Sequence, residues 1–173
     1  MVGSNLSSLV VSTGDVHRVC LTGRLSLDGR EVTSARAVEL LYLLAHEGPE
    51  VSKAVIEQRL YGGFCSRSAV WNIMKKCRDL GISLEYDRAR RLVRLRDTVV
   101  FDVDIAMHYF SAGDFRTALW VVEGWPLLGA PGSYGEAIMK KFCRSIEEGP
   151  LGCVKDDVMK IHHLLETRTV VPE

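Results

Sequence analysis

Residues 38–45, VELLYLLA, limit the folds open to this chain more than any other segment. A helix at a protein surface repeats its apolar residues every three or four positions and leaves the other side polar. This one is apolar nearly all round, so a helix built from it has to lie at the centre of a domain, with other elements on every side. Thr33 or Ser34 supplies its N-cap, and Gly48-Pro49 stops it after about His46.

The flanking text predicts what surrounds that helix. Residues 19–32, VCLTGRLSLDGREV, read as two short strands turning at Asp28-Gly29, a strong hairpin dipeptide. After the central helix, Ser52 is an N-cap, with Val51 and Ile56 in the staple positions, for a helix that closes at Gly62-Gly63. Ser66 then caps a further helix over residues 66–80, with Cys65 and Val70 in the same staple relation. Two short helices joined by a tight glycine-containing turn have the layout of a helix-turn-helix. Leu84 and Tyr86 alternate before Asp87, and Val93 and Leu95 alternate after Arg91, which predicts a second hairpin with its tip at 87–90. The expected fold class is α+β: a winged helix-turn-helix with an N-terminal β-hairpin and a C-terminal wing hairpin, followed by an all-α helical-hairpin module.

Charge distribution sharpens the expectation. The net charge of the 173 residues is zero, but residues 53–96 hold 11 Lys and Arg against 4 Asp and Glu. A local basic window matters more to a polyanion than the total does. On the helix over 66–80, Val70, Ile73, Cys77 and Leu80 share one side. The other side carries Ser68, Trp71, Asn72 and Lys75, with Arg67, Lys76 and Arg78 on its flanks. A major groove admits one helix and is read by side chains near that helix's N-terminus. Asn72 suits adenine, and Trp71 suits a thymine methyl or a sugar, or else packs into the core. Arg67 and Lys75 suit guanine or phosphate alike. Arg88, Arg90 and Arg91 at the hairpin tip suit the adjacent minor groove or its phosphates.

Beyond residue 99 the composition turns helical and moderately acidic, with 7 Lys and Arg against 11 Asp and Glu over residues 99–173. A helix, a break at Gly113-Asp114 and a second helix to about Gly124 are expected, with Ile105, Tyr109 and Phe110 facing Ala118, Leu119 and Val122. Two more helices are expected at residues 136–148 and 156–165. Asp102 and Asp104 read as helix-capping acids. The domain division is a flexible leader at 1–18, the winged helix-turn-helix at 19–98 and a helical interaction domain at 99–173.

Residues 19–96 resemble the DNA-binding domain of OmpR/PhoB-type winged-helix regulators, through the N-terminal hairpin, the capped buried helix, Ser66-Arg67-Ser68, Ile73 and Leu80-Gly81. At the wing, where that family carries Gly-x-Gly-Tyr, this chain reads Arg90-Arg91-Leu92-Val93. Residues 101–148 are similar to the start of the SARP-type bacterial transcriptional activation domain, through Asp102-Val103-Asp104, Gly113-Asp114-Phe115 with Ala118-Leu119-Trp120, and GWPLLG at 124–129. The same Gly-Asp-aromatic string marks tetratricopeptide-like helix pairs. The resemblance implies a sequence-specific regulator of transcription that binds double-stranded DNA. It also implies contact with RNA polymerase or another protein through residues 101–173, and allows a homodimer. The alternative is a protein–protein adaptor that uses the helical half, with the winged helix as scaffold. A third reading is a nucleoid or RNA-binding protein indifferent to duplex sequence.

Other classes find little support in the text. No nucleophile-elbow, Walker or dinucleotide-binding fingerprint asks for an enzyme or a cofactor. His162-His163 lacks a completing ligand set for a metal. The five cysteines at 20, 65, 77, 143 and 153 include no CxxC, which fits small core residues in a reducing cytoplasm, with Cys65 the exposed one. No apolar run approaches the roughly 20 residues of a membrane span. A cytoplasmic, nucleoid-associated protein is expected.

Overall fold

The computed structural model describes residues 14–48, 50–126, 133–148, 161 and 163–166. The fold is a mixture of helices and two small sheets. Its elements run β1 (Val16–Cys20), β2 (Ser26–Leu27), β3 (Arg30–Glu31), α1 (Ala35–Glu47), β4 (Glu50–Ser52), α2 (Lys53–Tyr61), α3 (Ala69–Asp79), β5 (Leu84–Asp87), β6 (Leu92–Leu95), β7 (Thr98–Phe101), α4 (Asp102–Ser111), α5 (Phe115–Val121) and α6 (Tyr134–Glu147). Ile161 and residues 163–166 are also helical; the rest of the helix expected at 156–165 lies outside the described residues.

The central helix is where its composition requires it to be. Every residue of α1 from Ala37 to Leu44 is buried, Glu39 among them. Ser34 is its N-cap, its hydroxyl accepting from the Ala37 amide, and Gly48 ends it. Ser52 caps α2 in the same way through Val55, with Val51 and Ile56 both buried as the staple requires. Gly62 takes the left-handed conformation (φ 64°) that a side chain resists, which lets its N–H reach the Gln58 carbonyl and turns the chain out of α2.

Three features depart from the sequence expectation. First, the N-terminal region holds three strands instead of two. The Asp28-Gly29 turn joins β2 to β3, with both residues at positive φ, and β1 lies beside β2, Val19 opposite Leu27. Second, β1 also pairs in parallel with β7, Val16 opposite Thr98 through to Val19 opposite Phe101. Residues 16–18 therefore belong to the sheet and not to a leader, while residues 1–13 lie outside the described residues. A parallel partner far away in sequence leaves no turn signal to read. Third, β4 joins the β5–β6 hairpin, so the second sheet has the order β4-β6-β5.

The helical half continues the same core. Buried Val103, Ala106, Met107 and Phe110 of α4 face inward, so the buried stripe is rotated from the expected one; Ile105 and Tyr109 are only half-buried. Phe110 meets Phe142 of α6 at 5.8 Å between ring centroids. Asp102 does not cap α4. Its buried carboxylate reaches back to the end of β1 and accepts from the Leu21 and Thr22 amides at 2.8 and 3.1 Å, from the Thr22 hydroxyl, and from its neighbour Val103. Asp104 meets Tyr42 and His46 of α1. Glu39 accepts from the Gly135 amide at the start of α6 (3.0 Å) while pairing with Arg36. Polar ties thus cross from β1 and α1 to both α4 and α6. No helix among the described residues is long and apolar enough to cross a membrane.

Candidate nucleic-acid interface

Helix α3 owes its two-sidedness to its spacing. Val70, Ile73, Met74 and Cys77 are buried against α1, where the Cys77 thiol lies 3.5 Å from the Ala37 carbonyl and burial pushes its pKa up to about 12. The helix ends in a complete Schellman motif. The Gly81 amide donates to Arg78, the Ile82 amide to Cys77, and buried Ile82 packs over the last turn.

The start differs from expectation. Residues 66–68 form a turn, and α3 begins at Ala69, because the Ala69 amide bonds to the Ser66 carbonyl and the Asn72 amide to that of Ser68. Ser68 is the N-cap by position, yet its side chain makes no capping bond. Its hydroxyl lies 3.4 Å from that of Ser66. The first amides of α3 therefore have no side-chain acceptor among the described residues, and they carry the positive end of the helix dipole.

Arg67, Ser68, Trp71, Asn72 and Lys75 are all exposed at this end of α3. Trp71 is neither a core residue nor free in solvent. It is 38% exposed, and its ring stands edge-on to Tyr86 of β5 at 4.4 Å, the geometry aromatic pairs favour. That contact fastens the exposed face of α3 to the first strand of the β5–β6 hairpin. Lys76 and Arg78 lie apart from it. Lys76 borders a groove with Glu31, Thr33 and Ser34, and the Arg78 Nε donates to the Leu84 carbonyl at 3.1 Å.

The tip of the β5–β6 hairpin spans residues 88–91. The Asp87 carboxylate accepts from the amides of Ala89 and Arg90 at 2.9 and 3.0 Å, a turn made by a side chain. Arg91 holds the left-handed conformation, φ 56°. The cations of the second sheet divide into two sets. Glu50 holds Arg94 and, at 3.9 Å, Arg90; Glu85 lies 3.9 Å from Arg94 and pairs with Arg96 at 2.6 Å. Arg96 holds the Glu85 carboxyl below its ordinary range. Among the described residues, Arg67, Lys75, Lys76, Arg88 and Arg91 have no carboxylate partner.

Sequence reasoning missed Glu50, Glu85 and Tyr86. Hairpin register was the signal for Glu85, since pairing Asp87 with Leu92 puts Glu85 opposite Arg94. Elsewhere, Trp120 on α5 is 85% exposed and Phe64, between α2 and α3, is 93% exposed. Cys77 is buried, while Cys20, Cys65 and Cys143 are half-buried; Cys153 and His162 lie outside the described residues. Among the described residues no group of His, Cys, Asp and Glu is arranged to hold a metal ion.

No family model matches the chain, and no curated protein matches it either.

Proposed function

We propose that the protein is a sequence-specific DNA-binding regulator, in which the N-terminal two turns of α3 enter the major groove and the wing tip contacts the neighbouring backbone or minor groove. In this reading residues 19–98 are a winged helix-turn-helix. The observation that carries it is the adjacency of two unpaired cationic surfaces. Arg67 and Lys75 flank the exposed start of α3, Arg88 and Arg91 crown the wing, and the Trp71–Tyr86 contact joins the two elements. Asn72 is exposed on the same helix, with an amide able to make two hydrogen bonds to adenine. The uncapped amides of α3 suit a phosphate oxygen. The helical half, docked on α1, is a surface for a protein partner such as the transcription machinery.

The division of the arginines adds a quantitative expectation. Arg90, Arg94 and Arg96 already have carboxylate partners, so they release fewer counterions on binding than their number suggests. With Arg67, Lys75, Arg88 and Arg91 as the phosphate contacts, the logarithm of the affinity should fall with the logarithm of salt at a slope of about −4.

The test is selection of bound duplexes from a random pool, followed by binding at several salt concentrations. An enriched motif is expected, and the triple variant Arg67→Ala, Asn72→Ala, Lys75→Ala should abolish preference for it while keeping the wild-type circular dichroism. Retained preference in that folded variant removes α3 from the role. Binding without any enriched motif favours the nucleoid or RNA-binding reading, and no binding at low salt favours the adaptor.

A further inference from the structure

Where the helical half meets α1, one histidine stands between two groups that can only accept hydrogen bonds. The His46 Nδ1 lies 2.8 Å from the backbone carbonyl oxygen of Tyr42, one turn back in α1, and its Nε2 lies 2.9 Å from a carboxylate oxygen of Asp104 in α4. A carbonyl has no proton to give, and an ionised carboxylate has none either. Both contacts are hydrogen bonds only when both ring nitrogens carry protons, so the arrangement is built for the imidazolium. The ring is held flat by stacking on Tyr42 at 3.9 Å and 18°, with Phe101 of β7 behind it at 5.9 Å.

We propose that His46 is a proton-operated latch between the two halves of the molecule: protonated, it ties the last turn of α1 to the first turn of α4, and loss of that proton weakens the tie, because the neutral ring has one N–H for two acceptors and no charge to meet that of Asp104. The inference holds whatever the exposed face of α3 binds.

The surroundings agree with this. The hydrogen bond to Asp104 comes first among the influences that raise the His46 pKa above 6.5, with the Tyr42 carbonyl and the Asp104 charge adding to it. Burial and Lys141 of α6 oppose them. The Tyr42 hydroxyl donates to the other Asp104 oxygen at 3.1 Å, and the Tyr134 ring of α6 lies 6.3 Å from that of Tyr42 between centroids. Glu47 is the next residue in the chain, and His108, Arg144 and Glu148 share an open cleft with Asp104. Both partners are about one-third exposed, so a proton can leave without unfolding the chain.

The sign follows from linkage. A histidine whose folded pKa is raised stabilises the closed seam fully below about 6.5, and that contribution disappears as pH climbs through the folded value. Asp102 and Glu39 still hold their own bonds across the same boundary, so the expected change is a local loosening of α4 and not separation of the halves.

The test is amide hydrogen exchange of the full chain from about pH 6 to about pH 9, read as the ratio of protection in α4 to that in α2, which cancels the pH dependence of exchange chemistry. The ratio is expected to fall about tenfold for each pH unit by which the folded His46 pKa exceeds the unfolded one. In His46→Gln the ratio should be flat, and in Asp104→Asn the NMR titration of His46 should move down. A flat ratio in the wild type, an equal fall in His46→Gln, or a wild-type His46 titrating at or below about 6.5 overturns the proposal.

Discussion

Arg91 occupies a backbone region in which its β-carbon crowds the following carbonyl, at φ 56°. For a non-glycine residue that conformation costs about 1 kcal/mol or more. Asn or Gly would relieve it, and neither carries charge. If the tip of the β5–β6 hairpin binds phosphate, charge and conformational ease are opposed at this one position, and substitution separates them. Arg91→Gly is expected to leave the unfolding free energy unchanged or raise it by up to about 1 kcal/mol. The same change should weaken DNA binding and make the salt slope shallower by about 1. Arg91→Ala keeps the β-carbon and should lose affinity without the gain in stability. The measurements are chemical denaturation and DNA binding at several salt concentrations. Unchanged affinity in both variants would remove Arg91 from the interface.

Between elements, the contact with most consequence for the site is that of Trp71 in α3 with Tyr86 in β5. A double-mutant cycle with Trp71→Ala and Tyr86→Ala should give a coupling of about 1 kcal/mol, and zero coupling would mean that α3 and the β5–β6 hairpin are oriented by other contacts. How far such elements can be read from sequence depends on how local their causes are. Residues 38–45 announced a buried helix because composition alone demands burial on every side, and Asp28-Gly29 announced a turn because few dipeptides tolerate two positive φ angles. The buried face of α3 was legible for the same kind of reason, as a spacing within one helix. β7 was not, since its partner β1 is about eighty residues away and TVVF has no bounding turn that assigns it. The start of α3 was misplaced because Ser66 and Ser68 look alike as caps in text, whereas the bonds from Ala69 to Ser66 and from Asn72 to Ser68 decide the matter. At the site, exposure followed from periodicity. The partition of arginines into paired and unpaired did not, because Glu50 reaches Arg94 only once β4 has joined the sheet.

On the scale of the whole molecule, two buried carboxylates of unlike origin fasten the helical half. Glu39 belongs to α1 and accepts from the amide of Gly135 at the positive end of α6; Asp102 belongs to α4 and accepts from the chain leaving β1. Neither separates easily from its partners, so the two halves should unfold in one cooperative transition, with far-ultraviolet circular dichroism and aromatic fluorescence giving the same midpoint. Asp102 makes a sharper prediction. Burial pushes its pKa above 3.8, against the pull of the bonds from Leu21, Thr22 and Val103. The folded chain therefore holds this proton more tightly than the unfolded one, and the contribution of Asp102 to stability increases as pH falls through its folded pKa, the reverse of an ordinary ion-paired acid. Asp102→Asn puts an amide where the Thr22 amide and hydroxyl need an acceptor, which should destabilise the chain by about 2 kcal/mol at neutral pH. Because asparagine does not titrate, the gap between wild type and variant should be wider at about pH 4 than at about pH 7. Urea denaturation at the two pH values measures both gaps. A gap that narrows in acid would mean that the bonds from β1, and not burial, govern the carboxyl, and that the seam between the halves is strongest when Asp102 is charged.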